Sequence, residues 1–64
     1  MTQETLIAVN EGILTDLQLT EALNHYRTLV PLLKVHGEKY HLVWFDAFLT
    51  LERLEGYYKS RKNK

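Results

Sequence analysis

The chain has sixty-four residues, enough for one small domain whose core alone supplies only about 3–5 kcal/mol. Cysteine is absent, which removes disulfides and most zinc sites as reinforcement and leaves oligomerisation as the expected supplement. The formal net charge is zero, so no overall field draws the molecule onto nucleic acid or an acidic membrane. The start "MTQETLIAV" lacks a basic leader, and no run approaches the roughly 18 apolar residues of a membrane span. A soluble, cytoplasmic protein is the expectation.

The first element is "TQETLIAVNEG". Thr2 suits an N-cap, although Thr5 stands where a capping box would place Glu or Gln. Leu6 and Val9 are spaced to share a face, and Gly12 sits where a left-handed residue ends a helix. So short a helix is marginal alone and needs packing partners from elsewhere in the chain.

The second element runs through "ILTDLQLTEALNHYRTLVPLLKVHG". Thr15 with Gln18 three residues on forms a capping box, and Asp16 complements the positive end of the helix dipole. Leu19, Ala22, Leu23, Tyr26, Leu29, Val30 and Leu33 recur at three- and four-residue intervals, one broad helical stripe. Pro31 removes a backbone hydrogen bond and biases Val30 away from helical dihedrals. A kink near residues 27–31 is expected in preference to a break, because the apolar pattern continues across it. Gly37, following His36, is expected to terminate the segment. His25, four residues after Glu21, reads as half of a surface pair.

The third element, from Glu38 to Lys59, is the longest. Tyr40, Trp44, Ala47, Phe48, Leu51, Leu54 and Tyr58 make its main face, and Glu55 precedes Lys59 by four residues in the favourable order. Two helices of about 30 Å joined by a glycine turn fold back on each other as an antiparallel hairpin. The expected architecture is all-α: a short N-terminal helix followed by this hairpin, completed as a bundle by dimerisation. Residues 1–58 form a single helical domain, and 59–64 a basic C-terminal tail.

The stretch "YHLVWFDAFLTLE" is apolar on two sides. With Tyr40, Trp44, Ala47 and Leu51 turned to the second helix, Leu42, Phe45 and Leu49 point the opposite way at 100° per residue, and Gly56 continues their row. A helix apolar on two sides must be covered on two sides. Three coverings are open: the first helix, using Leu6, Ile7 and Val9; a second copy of the chain; or an unrelated protein docking on the patch.

Other chemistry is thinly represented. His36, Glu38 and His41 are ligand types placed around a turn, but their spacing matches no helical pair or zinc signature, and no metal or other cofactor is expected. The single serine, Ser60, stands in the basic tail, and Asp46 and Glu52 lie well round the helix from each other. A chain this small has little room to bury and tune a general acid, so an enzyme is not expected. In "YYKSRKNK", Tyr57, Lys59, Arg61, Lys62 and Lys64 could stack on bases and neutralise phosphates, whereas Tyr58 belongs to the core face. A helix-turn-helix around "NEGILT" is disfavoured by Asp16, Gln18, Glu21 and Asn24 on the would-be recognition helix, where Arg27 is the one basic residue. The expected function is that of a non-enzymatic protein-binding regulator or adaptor, acting through Leu42, Phe45, Leu49 and Gly56 as a homodimer. The alternative is nucleic-acid binding through the tail.

Overall fold

A computed structural model describes residues 1–62, which form three helices: α1 (Gln3–Glu11), α2 (Asp16–Val35) and α3 (Gly37–Lys62). The all-α expectation holds, as does the hairpin of α2 and α3. Lys64, a candidate tail contact, lies outside the described residues.

The helix starts follow from their caps. Thr15 accepts from the backbone N–H of Gln18, whose side-chain oxygen accepts from the N–H of Thr15 at 3.0 Å, so both halves of the capping box form. At α1 the Thr2 hydroxyl accepts from the N–H of Thr5 at 3.2 Å. The reciprocal half is supplied from another helix: the Thr2 N–H donates to Glu21 Oε1 at 2.8 Å, and the buried Thr5 hydroxyl donates to Glu21 Oε2 at 2.8 Å. One carboxylate of α2 therefore completes the N-terminus of α1 and holds it in place. Both of its oxygens are turned to α1, and no contact-distance ion pair with His25 forms; that ring packs edge-on against Tyr26.

At its other end α1 stops at Gly12, whose φ of 76° is left-handed and whose N–H reaches back to the carbonyls of Ala8 and Val9. Only glycine adopts this conformation without strain. The face that α1 buries is Thr5, Ala8 and Val9. Leu6, expected to share a face with Val9, is exposed, as is Ile7.

α1 lays its backbone against α2 and meets α3 through long side chains. Arg53 Nη2 donates to the Val9 carbonyl at 3.4 Å, and the Tyr57 hydroxyl lies beside Gly12. The core joins all three helices and the loop before α2, where Leu14 lies: Ala8 and Val9 from α1, Leu19, Ala22 and Leu23 from α2, Leu54 from α3. Tyr26, Leu51 and Tyr57 pack round it half-buried. Tyr57, not Tyr58, is thus the core tyrosine, because α1 occupies the side of α3 towards which Tyr57 points; Tyr58 is exposed.

Continuity of α2 across Pro31, expected in preference to a break, holds, whereas the end of α2 and the partner of Glu55 differ from expectation. α2 runs as one helix through Pro31 to Val35, so the chain is not broken at the proline. The departure from helical dihedrals falls at Tyr40 instead (φ −123°, ψ 27°). Gly37 does not end α2 but belongs to the first turn of α3, leaving His36 alone between the helices. The His36 carbonyl makes this possible by accepting from the N–H groups of both Lys39 and Tyr40. Glu55 pairs not with Lys59 but across the hairpin with Arg27 at 3.0 Å. That pair is largely solvated and contributes at most about 1 kcal/mol.

The Glu21 clamp is pH-dependent. Hydrogen bonds from the Thr2 N–H first, and from the Thr5 hydroxyl second, stabilise the ionised carboxylate and hold its pKa below the ordinary 4.5. A depressed folded pKa means the contribution is complete above the unfolded value and is lost as pH falls through the folded one. Thermal unfolding followed from pH 7 into the acid range should therefore lose a component below about pH 4.5, and Glu21→Gln should lack that component. A second expectation concerns the core: Leu54 is fully buried where the three helices meet. Leu54→Ala should cost about 2–5 kcal/mol in urea unfolding, against a few tenths for the exposed Ile13→Ala.

Candidate interaction face

Along α3 the 100° step sends Ala47, Leu51 and Leu54 towards α2 and the core, and Ala47 and Leu54 are buried. Leu42, Phe45 and Leu49 leave the opposite side of the helix and are 74, 54 and 48 % exposed. The structure brings them together as one apolar row on the outside of α3.

The row stays open because α1 is short. Nine residues make a helix of about 14 Å, whereas the molecule is 39 Å long. α1 stands beside the half of the hairpin that contains Leu19, Leu23 and Leu54. Only its edge reaches the row: Leu6 and Asn10 face Leu49, Thr50 and Arg53 across a shallow groove floored by Tyr26 and Asp46. The expectation that the first helix might cover all three residues is thus met only at the rim of Leu49. In this groove burial, and then the neighbouring Asp46 carboxylate, push the Tyr26 phenol above its ordinary pKa, which keeps it protonated at neutral pH.

Around the row the hairpin is packed less completely than at the α1 end. Trp44 stacks on Phe48 with ring centres 5.4 Å apart and tilts against Phe45 at 6.4 Å. Its Nε1 is the one buried side-chain polar atom among the described residues that has no hydrogen-bond partner. Val43, Leu32 and Val35 are also exposed towards the turn. These apolar neighbours were not singled out from sequence; the signal that could have found them is the length of α1, which covers too little of a hairpin this long.

Gly56 continues the row, but a Cβ placed there would meet nothing within 4 Å. No close approach among the described residues requires this glycine.

The described tail residues do not gather into a second site. α3 continues through Lys62, and Arg61 folds back on the N-terminus of α2, donating to Asp16 Oδ1 at 2.7 Å and to the Leu14 carbonyl. Tyr57 is packed against the core. Lys59 and Lys62 remain exposed. His36, Glu38 and His41 do not assemble: among the described residues no three His, Asp or Glu side chains are grouped to hold a metal. No helix among them is long and apolar enough to cross a membrane.

No protein family, characterised protein or solved structure matches this chain.

The two glycines make a matched pair of expectations. Gly56→Ala should raise stability by about 1 kcal/mol, the ordinary gain inside an exposed helix. Gly12→Ala should lower it, because φ is positive there and Tyr57 lies against the added methyl. Urea denaturation of the two variants beside the parent chain measures both.

Proposed function

We propose that this protein is a small non-enzymatic binding protein, a regulator or adaptor that engages other protein through the outer face of α3 and works as a homodimer. The observation that carries the reading is the exposed row Leu42, Phe45 and Leu49, on a stretch of hairpin that α1 is too short to cover. A ring or branched chain that passes from water into a packed interface gains about 1.5–3 kcal/mol. Aromatic anchors flanked by aliphatic side chains are the usual centres of binding energy, and Phe45 lies in the middle of this row. Covering the row with a second chain would complete the bundle at the end where it has only two helices.

Nucleic-acid binding through the tail draws less support from the geometry. Two of the residues it needs, Tyr57 and Arg61, are engaged in holding α3 to α1 and to the N-terminus of α2. The free basic groups left among the described tail residues are Lys59 and Lys62.

Phe45→Glu tests the reading. The variant should keep its helicity and unfold within about 1 kcal/mol of the parent chain, as expected at an exposed site. It should lose about 2 kcal/mol of binding, roughly thirtyfold. The measurement compares what parent and variant recover from a nuclease-treated lysate, together with the mass of each in solution. A variant that recovers the same proteins in the same yield and keeps the same mass would sink the proposal.

A further inference from the structure

Among the described residues α1 is fastened to the hairpin at few points, and the chain has a hinge where it leaves. α1 buries Thr5, Ala8 and Val9, while its larger apolar side chains, Leu6 and Ile7, are exposed. It is held besides by the two bonds to the Glu21 carboxylate and by the 3.4 Å bond from Arg53 to the Val9 carbonyl. α2 and α3 are fastened separately. Both ion pairs seen among the described residues, Arg27–Glu55 and Arg61–Asp16, join these two helices, and neither involves α1. Val30 and Ala47 are buried outside the core cluster that α1 shares.

The hinge is a single residue. The N–H groups of Gly12 and Ile13 turn back to carbonyls of α1, so its cap ends there. Leu14 belongs to the hairpin: its side chain is buried in the core, and Arg61 near the end of α3 donates to its carbonyl. Ile13 lies between cap and anchor, with its side chain exposed. Rotation about its backbone swings α1 away while Leu14 stays seated. A helix of nine residues is marginal once detached, so opening also releases the backbone entropy that α1 loses on docking.

We infer that α1 is a strap: it opens as a unit about Ile13 with the α2–α3 hairpin still folded, and the Glu21 carboxylate is the catch that keeps it shut. Opening clears Leu6 and Asn10 from the groove beside Leu49 and uncovers the core residues Leu19, Leu23 and Leu54. The amount of apolar surface that the hairpin shows is therefore set by the state of the strap.

Amide hydrogen exchange of the full chain at constant neutral pH, read residue by residue by NMR, tests this. The amides of Ala8, Val9 and Asn10 should be protected relative to an unstructured chain, yet exchange at least about tenfold faster than those of Leu23, Tyr26 and Leu51, as a sub-global opening requires. Glu21→Ala should speed the α1 amides about tenfold, through loss of charge-assisted bonds at a helix start. Val30→Ala is the discriminating variant, because it weakens the hairpin in the open and closed states alike. It should speed the hairpin amides about tenfold and leave those of α1 within about twofold of the parent. If both groups speed up together, α1 unfolds only with the whole molecule and the inference is overturned. α1 amides that lack protection, or that ignore Glu21→Ala, overturn it as well. Should Val30→Ala not fold, urea makes the same distinction in the parent chain. The α1 amides should then respond shallowly, in keeping with the small surface that opening exposes, and the hairpin amides steeply. A common slope overturns the strap.

Discussion

Everything distinctive about this fold depends on the carboxylate of Glu21. A nine-residue helix does not hold itself together in water, and the first turn of α1 carries the donors that any helix leaves unpaired. Thr2 satisfies one of them from within. Glu21 takes the Thr2 N–H on one oxygen and the buried Thr5 hydroxyl on the other. A single side chain thus closes the helix end, satisfies a polar group inside the core and fixes where along α2 the helix begins. Since α1 then runs its nine residues and turns at Gly12, its start and length together decide which half of the hairpin has a third helix.

The two ends of the hairpin differ accordingly. At the α1 end, Val9, Leu23 and Leu54 exclude water between three helices, and Arg61 ties the end of α3 to the residues around the start of α2. At the turn end, α2 and α3 have only each other. Trp44 is half-buried there with an unpaired Nε1, and Leu42 and Phe45 face water. Glu21 and Arg61 both act at the α1 end: the Glu21 carboxylate closes the N-terminus of α1 with a charge of the favourable sign, and Arg61 ties α3 to Asp16 and the Leu14 carbonyl.

Much of this was legible in the residues. The caps at Thr2 and Thr15, the left-handed stop at Gly12 and the stripe from Leu19 to Val30 are local signals, each contained within a turn or two, and each forms as read. What escaped was non-local. Glu21 looks like a surface partner for His25 because the helix that claims it is sixteen residues away. Tyr57 and Tyr58 are adjacent and chemically alike, so the choice between them depends on which side α1 occupies. α2 continues through Pro31 as read, while Tyr40, which carries no local signal, takes the irregular dihedrals. The reason lies in the turn: with His36 alone between two helices, the first turn of α3 must be offset before the helix can run back along α2. The exposed row was visible as a pattern, but its openness is a consequence of helix lengths, which periodicity alone does not weigh.

Openness and marginal stability are linked in a chain of this size. A single small core contributes about 3–5 kcal/mol, and here it is concentrated at the α1 end. Covering the row from within the chain would stabilise the monomer, at the loss of an apolar surface that it presents in a line. With α1 as short as it is, anything that binds the row also stabilises the folded hairpin by mass action. Association and folding are then the same equilibrium seen from two sides. The half of the molecule least secured by its own chain is the half where a partner's contacts have the largest effect.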